Sequence, residues 1–290
     1  MNKDAFSGYH PAVTMLYFVL VIGLTMFLGH PVCLGISLLF ALIYSIYLKG
    51  KKAVRFNLMY MLPMLVITAL INPAFSHQGV TVLAYLPSGN PLTLESMLYG
   101  LSAGGMLAAV LLWFTTYQAV MTSDKFVYLF GRAIPALSLV LSMTLRFVPK
   151  FRAQLRAVQQ ARQFAGNSEK TGPIQKVRTS VENFSILVTW SLENAVETAD
   201  SMRARGYGLP GRTAFSIFRF ETRDARLLAW LLACGGLVIF GWAAGTLAWR
   251  YYPTVRGGFT GLTALCAAAE LALALTPWAI DAWEARKWNS

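Results

Sequence analysis

Three long stretches, Leu98 to Met121, Leu227 to Trp249 and Phe259 to Ile280, contain neither lysine nor arginine, and Glu270 is their only carboxylate. A helix needs about 20 residues to cross a hydrocarbon core of about 30 Å, and inside that core its own hydrogen bonds must satisfy the backbone. Runs of this kind predict membrane-spanning helices. The composition agrees: 56% of the 290 residues are hydrophobic and 13% are charged, about half the charged fraction of roughly 25% usual in soluble domains.

Two shorter runs, Val13 to Gly29 and Val32 to Leu48, are separated only by His30 and Pro31, which predicts a tight helical hairpin. Asn57 to Ile71 is a third short run. The expectation is an all-α polytopic membrane protein with about six spans, five to seven being compatible with the run lengths. Lys3 before an apolar run could suggest a signal peptide, but no small-x-small cleavage site follows, so a span is expected. Cys33, Cys234 and Cys266 lie far apart in or beside predicted spans and imply neither disulfide nor metal framework. His10, His30 and His77 do not cluster, and no metal site or cofactor is expected.

The 25 Lys and Arg residues set the orientation, because short loops rich in them stay in the cytoplasm. Lys49, Lys51, Lys52 and Arg55 follow the second run, whereas Asn72 to Ser96 has no Lys or Arg. The first loop is expected inside and the second outside. Alternation then puts Thr122 to Arg226, with 16 basic and eight acidic residues, in the cytoplasm. Both termini are expected there too. Arg250 and Arg256, on the outer side of the last pair of spans, run mildly against the rule.

Within this central segment, Leu141, Leu145, Val148, Phe151, Leu155 and Val158 recur at the spacing of one helical face. Pro149 is expected to bend that helix without ending it. A second face is legible in Val181, Phe184, Val188, Leu192, Ala195, Ala199 and Met202, and "GNSEKTGP", Gly166 to Pro173, reads as a turn between the two. Both apolar faces need a partner, small residues on the second would let another helix cross closely there, and the two helices are expected to pack on each other. Extending each stripe by one step reaches Arg162 on the first and Arg205 on the second. A cation at a helix end is favoured by the macrodipole alone, by about 0.3 to 1 kcal/mol, and Gly206 suits an ordinary helix stop.

"SMTLRFVPKFRAQLRAVQQARQFAG", Ser142 to Gly166, and "SLENAVETADSMRARGYG", Ser191 to Gly208, resemble the two signature segments of the transmembrane T component of energy-coupling factor (ECF) transporters. "NPAFSHQG", Asn72 to Gly79, and "TSDKF", Thr122 to Phe126, extend the resemblance. In that family each segment ends in an Ala-Arg-Gly-like motif at the tip of a cytoplasmic coupling helix. Ala204, Arg205 and Gly206 match fully. Ala161 and Arg162 match, but Gln163 stands where glycine is usual, which leaves the backbone geometry of the first tip open while keeping its charge.

The resemblance implies a fold with a cytoplasmic pair of long coupling helices, and residues 1–121, 122–226 and 227–290 as N-terminal spans, coupling region and C-terminal spans. It implies a non-catalytic scaffold of an ATP-driven importer in the cytoplasmic membrane, linking two ABC ATPase subunits, identical or different, to an S component that captures a vitamin or a metal ion such as cobalt. Ala161, Arg162, Gln163, Ala204, Arg205 and Gly206 would dock the ATPases, and Pro149 would act as a hinge. Lipids are further partners, and nucleic acid is not.

A guanidinium fork can hold carboxylates or carbonyls in two places at once, which suits a socket. The chain has no G-x-x-x-x-G-K-[ST] phosphate loop, and "SAGGM", Ser102 to Met106, is expected to serve helix packing. Glu193, Glu197 and Asp200, at four- and three-residue spacing, read as a solvated or intersubunit face rather than a catalytic set. Glu270 is an isolated intramembrane carboxylate, hence a functional candidate or a group with a polar neighbour. The rival readings are a self-contained secondary transporter or channel, which would normally show intramembrane ionisable residues or an internal repeat, and a lipid-acting membrane enzyme.

Overall fold

The computed structural model describes residues 5–76, 79–85, 91–131, 134–165, 172–210 and 218–289. The chain divides into two compact units, one of Met1–Thr122 with Phe218–Ser290 and the other of Ser123–Ile217.

In the first unit, α1 (Pro11–Phe27) and α2 (Pro31–Lys49) form the expected hairpin, each opened by a proline whose missing N–H costs nothing at a helix start. Lys51–Phe75 is one continuous helix made of α3 (Lys51–Phe56), a π-helical stretch (Asn57–Met61) and α4 (Leu62–Phe75). The basic residues expected in a loop after the second run, Lys49, Lys51, Lys52 and Arg55, are therefore all helical. The connection is reduced to Gly50, whose φ of +58° is a conformation glycine adopts without a Cβ clash.

A two-stranded antiparallel hairpin, β1 (Val82–Tyr85) and β2 (Pro91–Thr93), precedes α5 (Leu94–Val120). Thr93 caps α5, and the Glu95 carboxylate accepts from both the backbone N–H and the hydroxyl of Thr81.

After the second unit come α9 (Thr222–Ala243) and α10 (Gly261–Asn289). The apolar run to Trp249 is longer than the helix in it: α9 stops at Ala243, Gly245 takes φ +75°, and Leu247 is buried. Five helices among the described residues are long and apolar enough to cross a membrane, and Pro11–Phe27 is a shorter apolar helix. The chain is an all-α polytopic membrane protein apart from the small hairpin.

The core of this unit is mainly apolar, with Phe6, Val13, Tyr17, Leu112, Trp113 and Leu231 fully buried, but it also holds polar groups, and its outside is apolar. Thr14, Thr25, Ser37, Ser45, Thr116 and Glu270 are buried, while Phe27, Leu58, Leu70, Phe75 and Phe240 are exposed, as a lipid-facing surface requires. Thr25 and Ser37 share a hydrogen bond of 2.5 Å, and the fully buried Trp113 indole N–H donates to Ser37 at 3.0 Å.

"SAGGM" serves packing, as expected. A Cβ on Gly100 would come within 2.9 Å of the Ala69 carbonyl oxygen, and one on Gly104 within 3.1 Å of the Leu65 carbonyl oxygen, so α4 and α5 cross backbone to backbone. At one end of the unit, buried Asp224 accepts from the backbone N–H groups of both Glu221 and His10, while Asp281 accepts from Ala5. The start of α1, the start of α9 and the end of α10 thus lie on one side.

The second unit contains α6 (Ser123–Gly131), α7 (Pro135–Phe164) and α8 (Pro173–Ala204). α7 runs through Pro149 as one helix. The turn expected at Gly166 to Pro173 lies mostly outside the described residues.

Candidate functional site

α7 and α8 pack together, but not through the face of α8 that periodicity selects. On α8, Thr179, Glu182, Asn183, Leu187, Trp190, Ser191, Asn194, Thr198 and Met202 are the partly or fully covered positions, Met202 being the one member of the predicted stripe among them. Asn183 is 7% exposed, and the Trp190 ring meets Phe151 edge-on at 5.6 Å. The predicted stripe points elsewhere: Val181, Phe184, Val188 and Leu192 are exposed, with Phe184 at 66%. Ile174 and Val177 extend it toward the N-terminus of α8. The physical reason is that α7 offers Arg162 near its end, and polar Thr179, Glu182 and Asn183 satisfy a guanidinium as the apolar stripe cannot.

The tip of α8 has a complete C-terminal cap. Gly206 adopts φ +80°, its N–H bonds the Arg203 carbonyl at 3.0 Å, and the Tyr207 N–H bonds the Met202 carbonyl at 3.0 Å. This is the Schellman pattern, in which a left-handed glycine lets two otherwise orphaned carbonyls be used. A side chain at position 206 would also press on Leu209, 3.1 Å from an added Cβ. Arg205 is the capping residue itself; its side chain is exposed and has no ion-pair or hydrogen-bond partner among the described residues.

The tip of α7 differs. Gln163 is helical, and the helix continues to Phe164 with Ala165 as its cap, the Ala165 N–H reaching the Ala161 carbonyl at 3.0 Å. Without a glycine after Arg162, nothing stops the helix there, and glutamine is a good helix former. Arg162 therefore sits inside the last turn. One terminal nitrogen pairs with Glu182; the other donates to Asn183 Oδ1 at 3.1 Å and, more weakly, to the Thr179 carbonyl at 3.5 Å. Arg178 donates to the other oxygen of Glu182 at 3.1 Å. Hydrogen bonds from Arg162 and then from Arg178 hold the Glu182 carboxyl below the ordinary carboxylate range.

Ala161 and Ala204 are exposed on the last turns of their helices, and Pro149 is exposed in the middle of α7. Sequence reasoning singled out both arginines but not Glu182 and Asn183, which hold Arg162. The Arg178–Glu182 spacing of four was a usable signal for a helical ion pair, whereas nothing in the pattern marked Asn183. Glu193, Glu197 and Asp200 lie exposed along α8, as a solvated face requires. Glu270 is buried against Cys33 and Cys266 beside a cavity of about 10 Å³ lined also by Ser37 and Trp113. Among the described residues no group of three or more His, Cys, Asp or Glu side chains is arranged to hold a metal.

The fold and these tips define a multi-pass helical membrane protein that presents two long amphipathic helices in a separate unit. No protein-family model matches the chain. It is 32% identical over 106 residues to the energy-coupling factor transporter transmembrane protein EcfT of Exiguobacterium sibiricum, covering 36% of this chain and 40% of that one. It is 26% identical over 222 residues to EcfT of Listeria innocua, covering 70% and 82%, and 36% identical over 110 residues to EcfT of Lacticaseibacillus paracasei, covering 37% and 40%. The match to the first of these spans about two fifths of that protein's length. These relatives support an energy-coupling factor transporter T component.

Proposed function

We propose that this chain is the transmembrane coupling subunit of an ATP-driven ECF-type importer in the cytoplasmic membrane. Two ABC ATPase subunits dock on the tips of α7 and α8, and a separate S component delivers a vitamin or transition-metal ion. Neither the substrate nor ATP is bound here; hydrolysis belongs to the partners. Residues 122–226 and both termini face the cytoplasm.

The observation that carries this reading is Arg205: an exposed guanidinium, unpaired among the described residues, held at the end of a 32-residue helix by a glycine-based cap. A group so presented suits insertion into a partner's acidic or carbonyl-lined groove. Charge distribution supports the orientation, since Thr122 to Arg226 holds 16 of the 25 Lys and Arg residues. The exposed stripe of α8 from Ile174 to Leu192 supports a membrane-borne partner such as the S component, because a contiguous apolar strip is costly to leave in water. In this reading Pro149 supplies the compliance by which movement of the ATPases is passed along α7.

The test is reconstitution in proteoliposomes with the cognate ATPases and S component. ATP-dependent uptake should require all of them and should fail with Arg162→Glu and Arg205→Glu combined. Wild-type transport by the double variant, or uptake by the chain alone, rejects the proposal.

A further inference from the structure

We infer that Glu182 is an internal substitute for a partner's acceptor: it occupies Arg162 in the free chain and must be exchanged when an ATPase docks on α7. This rests on the reading of the two tips as docking sites. The tips are chemically unequal. Arg205 has no protein acceptor among the described residues. Both terminal nitrogens of Arg162 are already used, by the carboxylate of Glu182, the amide oxygen of Asn183 and the carbonyl of Thr179. A carboxylate and carbonyl oxygens are the acceptors a docking groove would offer a guanidinium.

Exchange is also chemically inexpensive for the group left behind. Glu182 has a second cation, Arg178, one helical turn away at 3.1 Å, so losing Arg162 does not leave its carboxylate unpaired. The Glu182 side chain is 42% exposed and that of Arg162 24% exposed. The pair is partly hydrated, within reach of a competing acceptor. Docking then has an order: the α8 tip engages first through free Arg205, and the α7 tip engages when Glu182 yields Arg162. The identity of residue 163 contributes, because a helical Gln163 keeps Arg162 inside the last turn, facing α8.

The test uses the full chain in nanodiscs with its cognate ABC ATPases as the probe, the affinity being measured for wild type, Glu182→Gln, Asn183→Ala and Arg205→Glu. Removing an internal competitor of this exposure should tighten binding about two- to fivefold. Asn183→Ala, which frees the other side of the same guanidinium, should act in the same direction. Without ATPases, phenylglyoxal should modify Arg205 faster than Arg162 in the wild type, and Glu182→Gln should narrow the gap. Unchanged or weaker binding in both the Glu182 and Asn183 variants, with helix content intact by circular dichroism, overturns the inference and makes the contact purely structural. Equal labelling of the two arginines in the wild type overturns it as well. An Arg205→Glu variant that binds like wild type defeats the docking reading itself, a result separate from either of these.

Discussion

Arg205 and Gly206 divide the work at the α8 tip between charge and backbone. Reversing the charge in Arg205→Glu should cost about 2 to 5 kcal/mol of ATPase binding, roughly 30-fold or more, because a desolvated acceptor would face a like charge. Arg205→Lys should recover part of this, since an ammonium keeps the charge but not the planar fork. Titration of immobilised ATPases with the nanodisc-embedded chain measures both. Gly206→Ala should weaken the last turn of α8 by about 1 kcal/mol, the cost of a side chain at positive φ, read as faster hydrogen exchange there.

His30 poses a different residue-scale question. It is 1% exposed, neither ring nitrogen has a hydrogen-bond partner among the described residues, and it packs against Trp249 at 5.1 Å and Phe259 at 6.1 Å between ring centres. Burial lowers its pKa below the ordinary 6.5. The unfolded chain therefore takes up the proton first. The folded state should be most stable above pH 6.5 and should lose stability as the pH falls below it, until the folded histidine also protonates. Thermal unfolding in detergent between pH 8 and pH 5 checks this, and His30→Phe should flatten the slope.

At the scale of elements, the crossing of α4 and α5 leaves no room for side chains at Gly100 and Gly104. Gly104→Leu should separate the two helices and lower the unfolding temperature in detergent, whereas Gly23→Leu on α1, where no heavy atom lies within 4 Å of the added Cβ, should be tolerated. The spans were legible because hydrocarbon demands long apolar runs, and the α1–α2 hairpin because only His30 and Pro31 separate its two apolar runs. Helix ends were less legible. α9 stops short of Trp249 because the glycine turn at Gly245 is a backbone event that hydropathy does not register. The helical start of α3 was hidden by lysines that read as loop. The α8 stripe was found correctly as apolar but assigned to the wrong neighbour, since periodicity reports a face without saying what covers it. The polar face that meets α7 is specified by Arg162, a contact between two helices that no single-helix pattern contains.

For the whole molecule, orientation is the property with the plainest test. Cys33, Cys234 and Cys266 are all buried, so a membrane-impermeant maleimide should meet little background in the wild-type chain. Leu83→Cys in the β-hairpin should label from outside intact cells, and Lys52→Cys should label only after permeabilisation. The reverse pattern removes the ATPases from reach of α7 and α8. The resemblance to energy-coupling factor T components was carried most specifically by the two arginine segments, whereas the inequality of the tips emerged only when Glu182 and Asn183 were seen beside Arg162.

The end of α8 has one more consequence. Its final carbonyls are satisfied by the chain's own amides through Gly206, so the knob bearing Arg205 holds its form in solitude. A visitor need not mould it, and little entropy is surrendered on arrival. The speed of capture should then depend on collision and long-range attraction, slowing as salt is added.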